Sequence, residues 1–125
     1  MVILDASAVL AVLFDEPGAD VVEGHLSAAV ICAPNVTEVV TRLVDKGQTL
    51  DEAVSQFSAL GLSVASLDEG LAIRAAAFRA ATSKRGLSLG DRACLALAER
   101  EKLPAVTGDR DWRNLNLAVE IRLIR

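Results

Sequence analysis

Short apolar runs alternate along this chain with longer segments in which apolar residues recur every three or four positions. An unbroken apolar run is typical of a strand buried on both faces of a sheet, whereas the longer spacing is typical of a helix with one face on a core. Because the two patterns alternate, we expect an α/β fold with a parallel sheet covered by helices on both sides. The predicted strands are Val2–Leu4, Ala29–Ala33, Leu62–Ala65, Ala105–Thr107 and Ala118–Leu123.

The segments between these runs begin with residues that suit a helix N-cap. Ser7 is predicted to cap a first helix that runs to about Phe14, and Asn35 is predicted to cap a helix that Gly47 ends. The other predicted helices are Asp20–Leu26, a segment from Thr49 or Asp51 to about Leu60, Asp68–Thr82, and Ser88 to about Lys102, with Ser83–Gly86 as a charged loop.

Length and composition favour one globular domain over residues 1–125. The chain is 52% apolar, which argues against disorder, and no apolar run approaches the ~20 residues of a membrane span. The first residues lack the basic start of a signal peptide, so we expect a soluble cytoplasmic protein without membrane contact. Cys32 and Cys94 lie in apolar runs and are predicted to be reduced core thiols. With one histidine and no CxxC pair, a structural zinc site is not expected.

The charge distribution is uneven. A formal net charge of −4 argues against a general nucleic-acid binder. Many basic residues nevertheless fall in the second half of the chain, where they form either a basic rim around an acidic pocket or a solvated face. They are Arg74, Arg79, Lys84, Arg85, Arg92, Arg110 and Arg113.

Four acids stand where the chain is predicted to change from strand to helix or loop: Asp5, Glu38, Asp91 and Asp109. In parallel α/β folds, ligands bind beyond the carboxyl ends of the strands, so all four can meet at one edge of the sheet. Carboxylate oxygens are the ligands that Mg²⁺ and Mn²⁺ prefer. The pattern therefore predicts a divalent-metal site suited to phosphodiester chemistry.

Each acid also has a structural explanation. Asn35-x-x-Glu38 and Ser88-x-x-Asp91 both have the spacing of a capping box, and acids are favourable in the first turn of a helix. The remaining two acids can stabilise a turn or cap a helix. For any one acid the two explanations are equally open.

Two of the acids are harder to explain by capping alone. Asp91 shares a helix face with the apolar residues Cys94, Leu95 and Ala98. Asp5 ends a strand predicted to be central, and no lysine or arginine adjoins it. A buried carboxylate costs several kcal/mol unless it is paired, and a divalent cation would supply the pairing that a helix cap does not.

The segments DASAVLAVLFDEPGA, PNVTEVV, LSLGDRACLALA and TGDRDW, in this order and spacing, resemble the PIN domain. The chain length is similar to that of VapC-type ribonuclease toxins of toxin–antitoxin pairs, and the resemblance extends from Val2 to about Leu123. It implies a three-layer α/β/α fold with a five-stranded parallel sheet in the order 3-2-1-4-5. It also implies Mg²⁺- or Mn²⁺-dependent cleavage of RNA.

The resemblance implies roles for the site residues as well. Asp5 and Asp91 match the most direct metal ligands, while Glu38 and Asp109 match the remaining acids, acting directly or through water. Asp111 can substitute for or assist Asp109, because the last acid is the least regular part of the pattern. Polar neighbours that orient these ligands are implied at Ser7, Asn35 and Thr107.

One departure from the family pattern concerns Gly90, which stands where the family often has alanine. We expect this change not to disturb the site. Trp112, close to Asp109, is predicted to anchor its loop against the core, with stacking on a base as the alternative. The single histidine, His25, is predicted to lie at the surface.

The expected partners are an RNA substrate, such as tRNA or another structured RNA, and a cognate VapB-type antitoxin. A homodimer is also predicted, because the early helices are rich in apolar residues that exceed the needs of a core. These residues are Val12, Leu13, Val21, Val22, Leu26, Val54 and Phe57.

Two other functions remain open. One is a phosphohydrolase with Asp5 as nucleophile. Haloacid-dehalogenase-type enzymes would need a second aspartate at the position of Ser7, and it is absent. Receiver domains would need an acidic pair near Asp5 and a lysine near the last strand, and both are missing. The other is a non-catalytic PIN-like module that binds a partner through the apolar early helices.

Overall fold

The computed structural model describes residues 1–125, which form one five-stranded sheet with helices on both faces. All four strand pairs are parallel and the order is β3-β2-β1-β4-β5, so the predicted fold class and strand order are confirmed. The strands are β1 Val2–Leu4, β2 Ala29–Cys32, β3 Ser63–Ala65, β4 Ala105–Thr107 and β5 Ile121–Leu123.

Seven α-helices flank the sheet. They are α1 Ala6–Leu13, α2 Ala19–Glu23, α3 Ala33–Asp45, α4 Leu50–Ser58, α5 Glu69–Ala77, α6 Arg79–Thr82 and α7 Leu89–Glu101. Short 3₁₀ turns lie at Leu26–Ala28, Ser83–Arg85 and Arg110–Trp112.

Two hydrophobic clusters, one on each face of the sheet, form the core. Alternate residues of β1 divide between them, with Val2 and Leu4 in the first cluster and Ile3 in the second. Helices α1 to α4 contribute to the first cluster, and α5 and α7 to the second. β1 is therefore buried on both faces, which explains its unbroken apolar run.

Strand order reverses beside β1, because β2 lies on one side of it and β4 on the other. In folds of this kind the crevice at such a reversal, beyond the carboxyl ends of the strands, is the usual place for a ligand. The residues that follow β1 and β4 therefore occupy the position where a site is expected.

The predicted cap of α1 was wrong by two residues. Asp5, with an extended backbone, caps α1, and its Oδ1 accepts a hydrogen bond from the Ala8 N–H at 2.9 Å. Ser7 lies inside the first turn and its hydroxyl donates to the Asp5 carboxylate. The helix begins earlier than predicted because Asp5 is itself a strong N-cap residue.

The predicted cap of α3 was also wrong. The helix begins at Ala33, after Cys32, so Pro34 and Asn35 both lie in its first turn. Proline is tolerated there because the N–H it lacks would have no partner within the helix. Asn35 is consequently a buried residue of the helix, and its side chain is available for contacts with other elements.

Three elements are shorter than their sequence patterns indicate. The segment Asp20–Leu26 is helical only to Glu23, where Gly24 ends α2. The helix predicted over Asp68–Thr82 is interrupted at Phe78, whose N–H bonds to the carbonyl of Ala75, three residues back. The last strand covers Ile121–Leu123, because this is the segment that pairs with β4.

Several predictions about single residues are confirmed. Cys32 and Cys94 are free and buried, and Trp112 is fully buried in the second cluster, as expected for a loop anchor.

No helix in the structure combines the length and hydrophobicity required to cross a bilayer.

Candidate metal site at the carboxyl ends of the strands

Asp5 lies at the carboxyl end of β1 and only 2% of it is exposed. Its carboxylate accepts hydrogen bonds from the Ala8 N–H and from the hydroxyls of Ser7 and Thr107. All of these donors are neutral, and none of the ion pairs in the structure includes Asp5. Burial raises the pKa of Asp5 to about 7, because these hydrogen bonds offset only part of the lost hydration.

The end of β4 joins the same network. The Ser7 hydroxyl accepts from the Gly108 N–H at 2.8 Å, and the Thr107 hydroxyl accepts from the Asp109 N–H at 3.0 Å. These bonds tie the residues that follow β1 to those that follow β4. Ser7 and Thr107 thus lie beside Asp5, where the predicted orienting role requires them, and that role itself stays a prediction.

Glu38 reaches the site from the first half of α3. The Asn35 Nδ2 donates to Glu38 Oε2 at 2.9 Å and to the carbonyl oxygen of Gly90 at 3.2 Å, so it connects α3 to α7. Partial burial raises the pKa of Glu38, and the charge of Asp91 adds to the shift, while the Asn35 hydrogen bond opposes it. Glu38 and Asp91 are therefore close enough to repel each other.

Asp91 also has the structural role that its spacing predicted. The Asp91 Oδ2 accepts from the Ser88 N–H at 3.0 Å, and the Ser88 hydroxyl accepts from the Asp91 N–H at 3.2 Å, which completes a capping box. Burial nevertheless raises the pKa of Asp91, and the charge of Asp109 contributes to the increase. The capping box holds this acid at the site without neutralising it.

Asp109 and Asp111 are distinguished by their positions. Asp109 is partly buried and its Oδ1 accepts from the Asp111 N–H at 2.9 Å, which caps the 3₁₀ turn at Arg110–Trp112. Asp111 is exposed. Asp109 is also the acid whose charge raises the pKa of Asp91. Of the two candidates for the fourth acid, Asp109 is the one whose charge acts on Asp91.

The donor set fits a hard divalent cation. Its acidic members are carboxylates, and repulsion among neighbouring acids helps to raise the pKa values of Asp5, Glu38 and Asp91. No group of three or more acidic, histidine or cysteine side chains in the structure is placed to hold a metal ion together. Mg²⁺ does not need so many protein ligands, because it commonly keeps several waters and takes one or two protein carboxylates directly. Asp5 and Asp91 are the residues that would hold it.

The four acids lie outside the two cavities of the structure. The larger cavity, about 330 Å³, lies beside Trp112 and β5, and the smaller lies between the end of α7 and Ala118–Glu120. Neither is lined by any of the four acids.

A family model described as the PIN domain matches residues 2–117. The chain belongs to the PIN domain family. This assignment agrees with the strand order of the sheet. None of the curated proteins matches the sequence significantly.

Solved structures share the fold of this PIN domain. VapC20 of Mycobacterium tuberculosis, described as a toxin that cleaves the sarcin–ricin loop, superimposes with a TM-score of 0.76 at 16% identity, over 98% of this chain and 99% of that one. DNA-bound VapBC of Salmonella typhimurium gives 0.75 at 16% identity over 100% of both chains. VapBC-1 of nontypeable Haemophilus influenzae gives 0.74 at 14% identity, over 99% and 98%. At these identities the likeness shows the fold.

Two glycines of this PIN domain have contacts that sequence reasoning missed. Gly108 donates its N–H to Ser7, and its position after Thr107 in the chain was the available signal. Gly90 lies directly against the Glu38 carboxylate, and the expectation that glycine in place of alanine does not disturb the site stays a prediction. No local pattern could reveal that contact, because Glu38 and Gly90 are on different helices.

Proposed function

We propose that this PIN domain is a Mg²⁺- or Mn²⁺-dependent endoribonuclease that acts as the toxin of a VapC-type toxin–antitoxin pair. The observation that carries the proposal is Asp5, a carboxylate that is 2% exposed, has no cationic partner and lies where strand order reverses. A bound cation would supply the charge that this position lacks.

In the proposed reaction the acids of the site have different roles. A divalent ion, when bound, activates water and offsets the charge that develops on the phosphate. Asp5 and Asp91 would hold it, with Ser7 and Thr107 fixing the orientation of Asp5. Glu38, whose pKa is raised by burial, is suited to orient the attacking water and take its proton at a carboxylate oxygen. Asp109 is the alternative for that step.

The substrate we propose is RNA, with tRNA or another structured RNA as the first candidates. Of the seven basic residues named in the sequence analysis, Arg74 is already engaged by Glu99 and Phe78, and Arg92 is partly buried. The other five are exposed: Arg79, Lys84, Arg85, Arg110 and Arg113. Arg110 and Arg113 flank the 3₁₀ turn that Asp109 caps, which favours a basic rim beside the acids.

A VapB-type antitoxin is the protein partner we propose. The similar structures from Salmonella typhimurium and Haemophilus influenzae are described as DNA-bound VapBC and as VapBC-1. In this chain, large apolar side chains remain exposed on the helical layer formed by α1 to α4, which supports binding of a partner there. They are Val21, Val44, Leu50 and Val54.

The test is cleavage of a mixed pool of tRNA and structured RNA with Mg²⁺, Mn²⁺ or EDTA. We expect cleavage only with metal and its loss in Asp5→Asn, whereas Asp45→Asn, at the exposed end of α3, should cut like the wild type. Circular dichroism verifies that each variant is folded. Cleavage that persists in EDTA, or in a folded Asp5→Asn, would contradict the proposal.

The two alternatives predict different outcomes. A phosphohydrolase with Asp5 as nucleophile would pass through an aspartyl-phosphate and release phosphate from a phosphomonoester, while leaving RNA uncut. A non-catalytic partner-binding module would neither bind Mn²⁺ in calorimetry nor cut RNA, yet would still bind an antitoxin.

A further inference from the structure

Gly90, the second residue of α7, is buried against the side chain of Glu38. A Cβ placed on Gly90 would lie 2.3 Å from Glu38 Oε1, 2.7 Å from its Cδ and 2.9 Å from its Oε2. Non-bonded carbon atoms pack at about 3.5–4.0 Å. The Glu38 carboxylate thus occupies the space that an alanine methyl group would need.

Asn35 holds the carboxylate in that space. Its side chain is fully buried, and the same Nδ2 group donates to Glu38 Oε2 and to the Gly90 carbonyl oxygen. Asn35, Glu38 and Gly90 therefore form one unit, the Gly90 cluster, that joins α3 to α7. Because Gly90 directly precedes Asp91 in α7, the cluster holds the Glu38 carboxylate against the residue next to Asp91.

The position of Gly90 in its helix does not by itself require glycine. Gly70 is likewise the second residue of α5, and a Cβ there would meet only Asp68 Oδ1, at 3.6 Å, an ordinary contact. Neither glycine belongs to those with a positive φ, so both backbones suit alanine. What distinguishes Gly90 is the carboxylate that lies against it.

We propose that Gly90 is a positioning residue, which admits the Glu38 carboxylate beside Asp91 and thereby sets the affinity of the site for its divalent ion. The second part rests on the proposed function, whereas the position of Glu38 does not. Alanine at residue 90 would displace the end of a flexible side chain rather than backbone, so the fold should persist while the carboxylate moves.

The test compares Gly90→Ala with Gly70→Ala, a matched substitution at the same position of another helix. We expect Gly90→Ala to weaken Mn²⁺ binding, measured by the electron paramagnetic resonance of free Mn²⁺, by roughly tenfold or more, as for other partners of metal ligands. Its melting temperature should equal or exceed that of the wild type, because alanine favours helix. Gly70→Ala should leave Mn²⁺ affinity unchanged.

A double-mutant cycle shows whether Gly90 acts through Glu38. In a Glu38→Ala background no carboxylate remains to be displaced, so Gly90→Ala should have no further effect on Mn²⁺ affinity. If Gly90→Ala lowers Mn²⁺ affinity as much in the Glu38→Ala protein as it does in the protein that keeps Glu38, the proposal is overturned. It is also overturned if the Gly90→Ala protein binds Mn²⁺ with wild-type affinity.

The position of Glu38 can be measured without metal. In Gly90→Ala the side-chain amide resonances of Asn35 should shift as the bond to Glu38 is lost, and a crystal structure should show the carboxylate displaced. Unchanged Asn35 resonances would overturn the proposal. If the wild type binds no Mn²⁺, the proposed function fails, and these resonances alone decide whether Gly90 positions Glu38.

Discussion

At the scale of single residues, Asp5 combines a helix cap with deep burial. The sequence left a structural and a functional explanation open, and the structure contains the cap in full, with the Ala8 N–H bonded to the carboxylate. The cap and two hydroxyls do not compensate for the lost hydration, so the pKa of Asp5 rises to about 7. Capping alone does not account for this burial, and the functional explanation is the one that we propose.

The raised pKa predicts how stability depends on pH in the metal-free protein. The folded state keeps the Asp5 proton up to about pH 7, whereas the unfolded chain releases it near the ordinary aspartate pKa of 3.8. Stability contributed by this group therefore falls as pH rises between these values, by roughly 4 kcal/mol at most.

Asp5→Asn removes this titration. In EDTA we expect the difference in unfolding free energy between Asp5→Asn and wild type to be small at pH 4 and to grow in favour of the variant up to about pH 7. Urea unfolding followed by the fluorescence of Trp112, the single tryptophan, measures it. Parallel pH profiles for the two proteins would argue against an unpaired, buried Asp5.

At the scale of elements, the first turn of α7 combines three tasks. Ser88 and Asp91 cap the helix, Gly90 admits Glu38, and Asp91 also faces the other acids. The cap was predictable, because a capping box is a local pattern of four residues. The contact of Gly90 with Glu38 was not, since it depends on how α3 and α7 approach each other.

The cap and the metal site should respond to different substitutions. Ser88→Ala removes the hydroxyl that accepts the Asp91 N–H, but leaves the Ser88 N–H that bonds to the Asp91 carboxylate. We expect a loss of about 1 kcal/mol in unfolding free energy with little change in Mn²⁺ affinity. Chemical denaturation and metal titration check this, with Ser88→Thr as the control that keeps a hydroxyl. A Ser88→Ala protein that retains full stability would mean that the capping box is not formed in solution.

At the scale of the whole molecule, strand order creates the site. Because β1 lies between β2 and β4, Asp5 and Thr107 are hydrogen-bonded although 102 positions separate them in the chain. The same architecture puts α1 to α4 on one face of the sheet, and that layer carries four exposed large apolar residues. Such a surface is expected to be covered by another protein.

We therefore expect a homodimer, alone or within a toxin–antitoxin assembly. Light scattering at tens of micromolar should give twice the monomer mass, and Val54→Asp should shift the population toward monomer, because it places a charge on the exposed layer of α4. Ile73→Asp is the control, since Ile73 is equally apolar and 64% exposed, but on α5 on the opposite face. A wild type that is only monomeric would contradict this expectation.

The sequence alone determined where the strands lie, the strand order through the family resemblance, and the four acids that are candidates for the site. Strand runs and acids at strand ends are local patterns, and local chemistry produces them. Only the tertiary structure decided that the charge of Asp109, and not that of Asp111, acts on Asp91, that Asn35 is a buried bridge and not a cap, and that Gly90 lies against Glu38. Each of these depends on the approach of elements far apart in the chain, and the periodicity of one element carries no information about the distance to another.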